Sequence, residues 1–180
     1  MRSKYLGPWR VDVEERDDVL RLVSATTLAR AIVATLEAAG APSPASIGLI
    51  LTDDAELAGL NAEHMGTTGP TDVLSFPLLP PSAFSPHPGK VSDDAGEVAS
   101  AFALPPGTRP HLGDVVVSVE RAIDQAGAGR GGQTGHVRWD ARDELRLLVT
   151  HGTLHVCGWD HAEPVEEAAM RALERRLLEG

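Results

Sequence analysis

Apolar and polar residues alternate over residues 9–14, as they do in a strand with one buried face. Over residues 25–39 the spacing changes: Leu28, Ala31, Ile32, Thr35, Leu36 and Ala39 recur at helical intervals, and Gly40 with Pro42 supplies a stop. The run SIGLILT at residues 46–52 is rich in β-forming residues. After it, Asp53 is placed to cap a helix over residues 53–63, with Glu56 reaching back to complete a capping box. TDVLSF (71–76) reads as a strand bounded by Gly69-Pro70 and Pro77, and LGDVVVSV (112–119) is the most strongly β-patterned stretch of the chain. Between them, residues 77–111 are rich in Pro, Ser, Gly and Ala without periodicity, which predicts an exposed, mobile insertion. A short helix over 119–126 leads into a glycine-rich link, and helical spacing returns over 141–157 and 165–178. The order β-α-β-α-β-β-α-α-α, without repeats, predicts a single α+β domain over residues 1–180, a small mixed sheet packed by helices.

Composition narrows the function classes. A chain of 180 residues fits one domain. No stretch approaches the length of a membrane span, and the N-terminal segment has no apolar core behind its positive charge, so a cytoplasmic protein without a membrane partner is expected. Cys157 stands alone and forms no internal disulfide. The net charge of -10 and pI near 5.1 oppose indiscriminate binding to nucleic acid, so any RNA contact must be local. Lysine occurs only at Lys4 and Lys90. No phosphate-binding glycine motif follows a predicted strand, which excludes a nucleotide cofactor, and the glycines of 127–135 read as a flexible linker.

The chemistry concentrates in HGTLHVCGWDH, residues 151–161. His151 and His155, four apart on the predicted helix, share one face one turn apart, and both imidazoles can reach one ion. Gly158 can end the helix in a left-handed conformation and return His161 to the same ion. Three imidazoles suit Zn²⁺ and leave a fourth position for a water whose pKa falls to about 7, which implies hydrolysis. Cys157, two residues beyond His155, points to the opposite helix face and reads as a buried thiol. Trp159 reads as packing. Asp160 either orients a metal ligand or bonds nearby backbone amides. The spacing also matches the extended zinc-protease signature, except that the glutamate base after the first histidine is replaced by Gly152.

Together with PTDVLSFP (70–77) and LGDVVVSV (112–119), this stretch resembles the YbeY family of bacterial endoribonucleases, in three ordered blocks over about residues 46–161. The resemblance implies an α+β domain with one zinc on His151, His155 and His161. It also implies hydrolysis of single-stranded RNA in ribosomal RNA maturation, at the 3′ end of the small-subunit RNA, and in ribosome quality control. The implied partners are precursor RNA, the small ribosomal subunit and its assembly proteins. By the same resemblance His64, Asp72 and Ser75 are candidate catalytic groups, and Asn61 and Thr71 candidate substrate-binding groups. One departure stands out: a Tyr-Arg pair of many family members is replaced by His64 and Met65, and methionine cannot hold a phosphate. Another arginine, His64 or the metal must then supply the positive charge, or turnover is weaker. Val73, Leu74 and Phe76 are expected to build the sheet, and His87, His111 and His136 to lie in surface loops. Two other readings compete, a ribosome-associated assembly factor with a structural zinc and a zinc peptidase.

Overall fold

The computed structural model describes residues 1–66, 69, 71–90, 108–128 and 140–179. The N-terminal alternation has a partner that the pattern does not reveal. Strand β1 (Arg2–Leu6) turns through Gly7, at φ +59°, and pairs antiparallel with β2 (Trp9–Glu15). Its side chains are largely exposed, so it carries no apolar alternation to read. Helix α1 (Ala25–Ala38) follows, capped by the Ser24 hydroxyl, which accepts the Thr27 N–H. Strand β3 (Ala45–Thr52) then lies parallel to β2.

The Asp53 carboxylate caps helix α2 (Asp54–Leu60) by accepting the Glu56 N–H. The expected reciprocal bond is not made, because the Glu56 side chain binds Arg16 and Thr52 instead. Nor does α2 run on to residue 63: a π-helical turn, Asn61–Met65, takes over and ends at Gly66, at φ +63°. Edge strand β4 (Val73–Pro77) pairs antiparallel with β5 (His111–Ser118), and β5 lies parallel to β3. Helices α3 (Val119–Gly127), α4 (Ala141–Val156) and α5 (Pro164–Glu179) complete the chain. The sheet order is β1-β2-β3-β5-β4, a mixed sheet as expected.

Strand register sorts the side chains. Val11 opposite Ile47, Leu49 opposite Val115 and Leu51 opposite Val117 supply the face on which α1 and α4 pack, with Leu28, Ile32, Leu36, Leu148 and Val149 in one core. The residues between them face the other way: Leu74 and Val116 meet Leu57 of α2, with Ile50 and Phe76 beside them. The expected sheet-building roles of Val73, Leu74 and Phe76 are thus split between two faces.

Residues 78–90 are mostly exposed but are anchored to the core at one point. A 3-10 turn, Pro81–Ala83, leads to Phe84, 5% exposed in the main core. Proline-rich backbone packs without helical or strand periodicity, which is why the pattern is silent there. Residues 91–107 and most of the glycine-rich link, with His136, lie outside the described residues. Among the described residues no helix is long and apolar enough to cross a membrane.

Candidate metal centre

Helix α4 starts at a capping box in which Asp140 and Asp143 each accept the other's backbone N–H. Its last turns carry His151 and His155. The helix ends where the expected glycine stands: Gly158 is at φ +80°, its N–H bonding His155 O, while the Trp159 N–H bonds Leu154 O. The chain reverses and His161 comes back to the pair. The nitrogens that the three rings offer lie within 4.8 Å of one another, so the group can hold one metal ion. His155 Nε2 and His151 Nε2 are 3.1 Å apart.

Gly152 explains both the placement of α4 and the absence of a protease base. A Cβ at this position would lie 2.6 Å from Val115 Cγ1 and 2.8 Å from Val73 Cγ2, so the helix rests directly on β4 and β5. A side chain at 152 would be directed into Val115 and Val73 of the sheet, with Ser75 Oγ 3.3 Å from its Cβ. The Ser75 hydroxyl ties the two elements by donating to the Gly152 carbonyl at 2.9 Å.

The electrostatics favour a neutral, metal-ready His155. Burial, then the neighbouring charges of His151 and His161, lower the His155 pKa to about 4, although a bond to the Trp159 backbone opposes the shift. His151 Nδ1 meets Glu174 Oε1 of α5 at 2.7 Å. With the Glu174 carboxylate accepting, His151 donates from Nδ1, the tautomer that leaves Nε2 to a metal ion. Glu174 is 5% exposed.

A cleft of about 530 Å³ is lined by the three histidines and by Thr71, Asp72 and Ser75, together with Pro77, Leu79 and Pro81. Three of the candidate groups therefore share the cleft with the histidines. Asp72 Oδ2 accepts from Gln125 Nε2 at 2.8 Å, and the Thr71 hydroxyl donates to Val73 O. Asn61 and His64 are not brought there. Asn61 is buried and donates to the Gly69 carbonyl, and His64 stands edge-on to Phe76 on the α2 face of β4, ring centroids 5.4 Å apart. Asp160 accepts the His161 backbone N–H at 2.7 Å, which is the backbone role of the two considered. Trp159 is packing, as expected, and Cys157 is fully buried with its thiol pushed up to about 12 by desolvation.

Several groups at the site escape sequence reasoning. Glu166 and Glu174 fall in the buried stripe of α5 with Met170 and Leu173, and acids at helical spacing within an apolar stripe are a readable signal. His87 gives no such signal: it is not on the surface, its side chain being 4% exposed. His111 opens β5, partly buried, with Nε2 at 3.1 Å from Asp114. Two cations lie near the site, one of them, Arg171, ion-paired with Glu167. Lys90 Nζ donates to the carbonyl of Pro81, which lines the cleft, and Arg171 joins His151 and His161 around an adjoining hollow of about 200 Å³.

The family model described as "Endoribonuclease YbeY" matches residues 11–180, well beyond the three blocks that carry the resemblance. The chain belongs to the YbeY endoribonuclease family. It is 36% identical to the Endoribonuclease YbeY of Roseiflexus sp. (strain RS-1), over 93% of this chain and 90% of that protein. It is 41% identical to the Endoribonuclease YbeY of Salinispora tropica, over 79% of this chain and 78% of the relative. Among solved structures, a solution structure from Thermotoga maritima has the same fold, with a TM-score of 0.51 and 20% identity, covering 94% of this chain and 87% of that one. The α+β architecture of this YbeY-family chain agrees with that likeness.

Proposed function

We propose that this YbeY-family protein is a cytoplasmic, zinc-dependent endoribonuclease that cleaves single-stranded ribosomal RNA precursors, at the 3′ end of the small-subunit RNA, and acts in ribosome quality control. Its partners on this reading are the small ribosomal subunit and its assembly proteins. The observation that carries the proposal is the convergence of His151, His155 and His161 in an open cleft, on a chain whose relatives are named endoribonucleases.

The donor set fits zinc. Three nitrogen donors within reach of one ion, one oriented by a buried carboxylate and one held neutral, match a site that keeps an open position. When bound, zinc supplies Lewis acidity and a water acidified to near neutral pH. The chain's own residues do the rest. Glu174 fixes the His151 tautomer, and Ser75 holds β4 against α4, which sets the width of the cleft. Asp72 and Thr71 face the histidines, where they can orient a phosphate or a water. Lys90, held on the Pro81 carbonyl at the cleft, is the cation this reading offers to RNA in an acidic chain with Met65 in place of the family arginine, whereas Arg171 beside the adjoining hollow is ion-paired with Glu167.

A structural zinc accounts less well for three ligands rather than four among the described residues and for a solvent-open site. The peptidase reading lacks its general base, because position 152 is a glycine whose Cβ would crowd Val115 and Val73. The test is cleavage of a single-stranded ribosomal RNA fragment by protein stripped with a chelator and then reloaded with zinc. Cleavage that disappears and returns is expected. RNA left intact by the zinc-loaded protein, with the ribosome added as well as without it, would hand the function to the assembly-factor reading.

A further inference from the structure

His87 lies in the proline-rich arm that pattern alone assigns to the surface. Its ring lies flat on the Trp159 indole, centroids 4.0 Å apart and planes 7° apart. Its Nε2 meets Glu166 Oε1 at 2.6 Å, and the same oxygen accepts the Asp160 N–H at 2.8 Å. Asp160 in turn accepts the His161 N–H. Gly89 brings the arm hard against α5, since a Cβ there would lie 2.4 Å from Glu166 N. One carboxylate thus joins the arm, the first turn of α5 and the turn that ends in His161.

We propose that His87 and Glu166 are positioning residues for the third metal ligand, holding the 158–161 turn so that His161 faces His151 and His155 before metal binds. The proposal rests on the metal-centre reading and is independent of the RNA substrate. His151 and His155 are fixed by the backbone of α4, but His161 is exposed and lies beyond the end of that helix. Disorder in its turn would have to be removed at the moment of binding, which weakens affinity; a turn ordered beforehand avoids that loss.

Packing alone does not account for a histidine here. Its Nδ1 is buried without a hydrogen-bond partner among the described residues, as is Trp159 Nε1. A phenylalanine at 87 would stack on Trp159 and leave no buried nitrogen of its own unmet. What histidine adds is the bond to Glu166.

The experiment compares full-length wild type, His87→Phe and Glu166→Gln, measuring zinc affinity by competition with a chromophoric chelator and the melting of each metal-free protein. We expect His87→Phe to lose about 10-fold in zinc affinity, the lower end of the range for groups that orient metal ligands. Its metal-free melting should stay close to wild type, and its RNA cleavage should recover at saturating zinc. Glu166→Gln keeps an oxygen for the Asp160 N–H and should lose less. Wild-type zinc affinity in both variants would overturn the proposal, as would a loss that merely follows metal-free unfolding. A wild type that binds no zinc would overturn the metal-centre reading itself.

Discussion

His151, His155 and His161 come from one short stretch of chain, whereas the groups that hold and face them, Ser75, His87, Glu166 and Glu174, come from three separated segments. The histidine wall is fixed by local geometry: helical spacing, then a left-handed glycine. The supporting wall exists only once β4, the proline-rich arm and α5 have docked. Damage to the first should abolish the metal site, and damage to the second should detune it by degrees.

The most severe way to break this comparison is to force the walls apart. Gly152→Glu restores the protease signature in sequence, yet it drives a side chain into Val115 and Val73. Chemical denaturation should show a loss of at least the 1–3 kcal/mol typical of overpacking, and no peptidase activity should appear. A stable, proteolytic variant would refute the Gly152 argument. Next, Glu174→Gln leaves both walls in place but weakens the orientation of His151. Zinc affinity should fall roughly 10–100-fold in a competition titration, with secondary structure unchanged by circular dichroism.

A smaller effect separates substrate from metal. Lys90→Met should leave zinc affinity unchanged and weaken RNA binding, and the slope of log affinity against log salt should become shallower by about 0.7, one phosphate contact on a single strand. An unchanged slope would remove Lys90 from the substrate path. The smallest effect lies away from both walls. Arg16, then Thr52, lower the Glu56 pKa from 4.5 to about 2. Its stabilisation is therefore present above pH 4.5 and is lost as the pH falls towards 2. Both side chains are about one-third exposed, so Glu56→Gln should flatten that acid limb by less than ~1 kcal/mol in a pH series of thermal melts.

What could be read from sequence follows the same division. The helix, its glycine stop and the three ligands are written in residue spacing, and so is the strand alternation of β2 and the cap at Asp53. β1 was invisible because an exposed ribbon has no apolar rhythm. The capping-box spacing ties Glu56 to its own helix because its actual partner, Arg16, is distant in sequence. The burial of His87 leaves no trace in the pattern because proline-rich backbone packs without a period. The family resemblance supplied Thr71, Asp72 and Ser75, which do line the cleft, but also Asn61 and His64, which do not. That difference depends on the π-helical turn and on which face of β4 each residue meets.

The central claim, that the three histidines form a catalytic zinc centre, is tested most directly by His155→Ala beside wild type, assayed together for zinc content, folding and cleavage of a single-stranded ribosomal RNA fragment. The account predicts a folded variant that has lost both zinc and cleavage. A folded variant that cleaves as wild type does without zinc would contradict it.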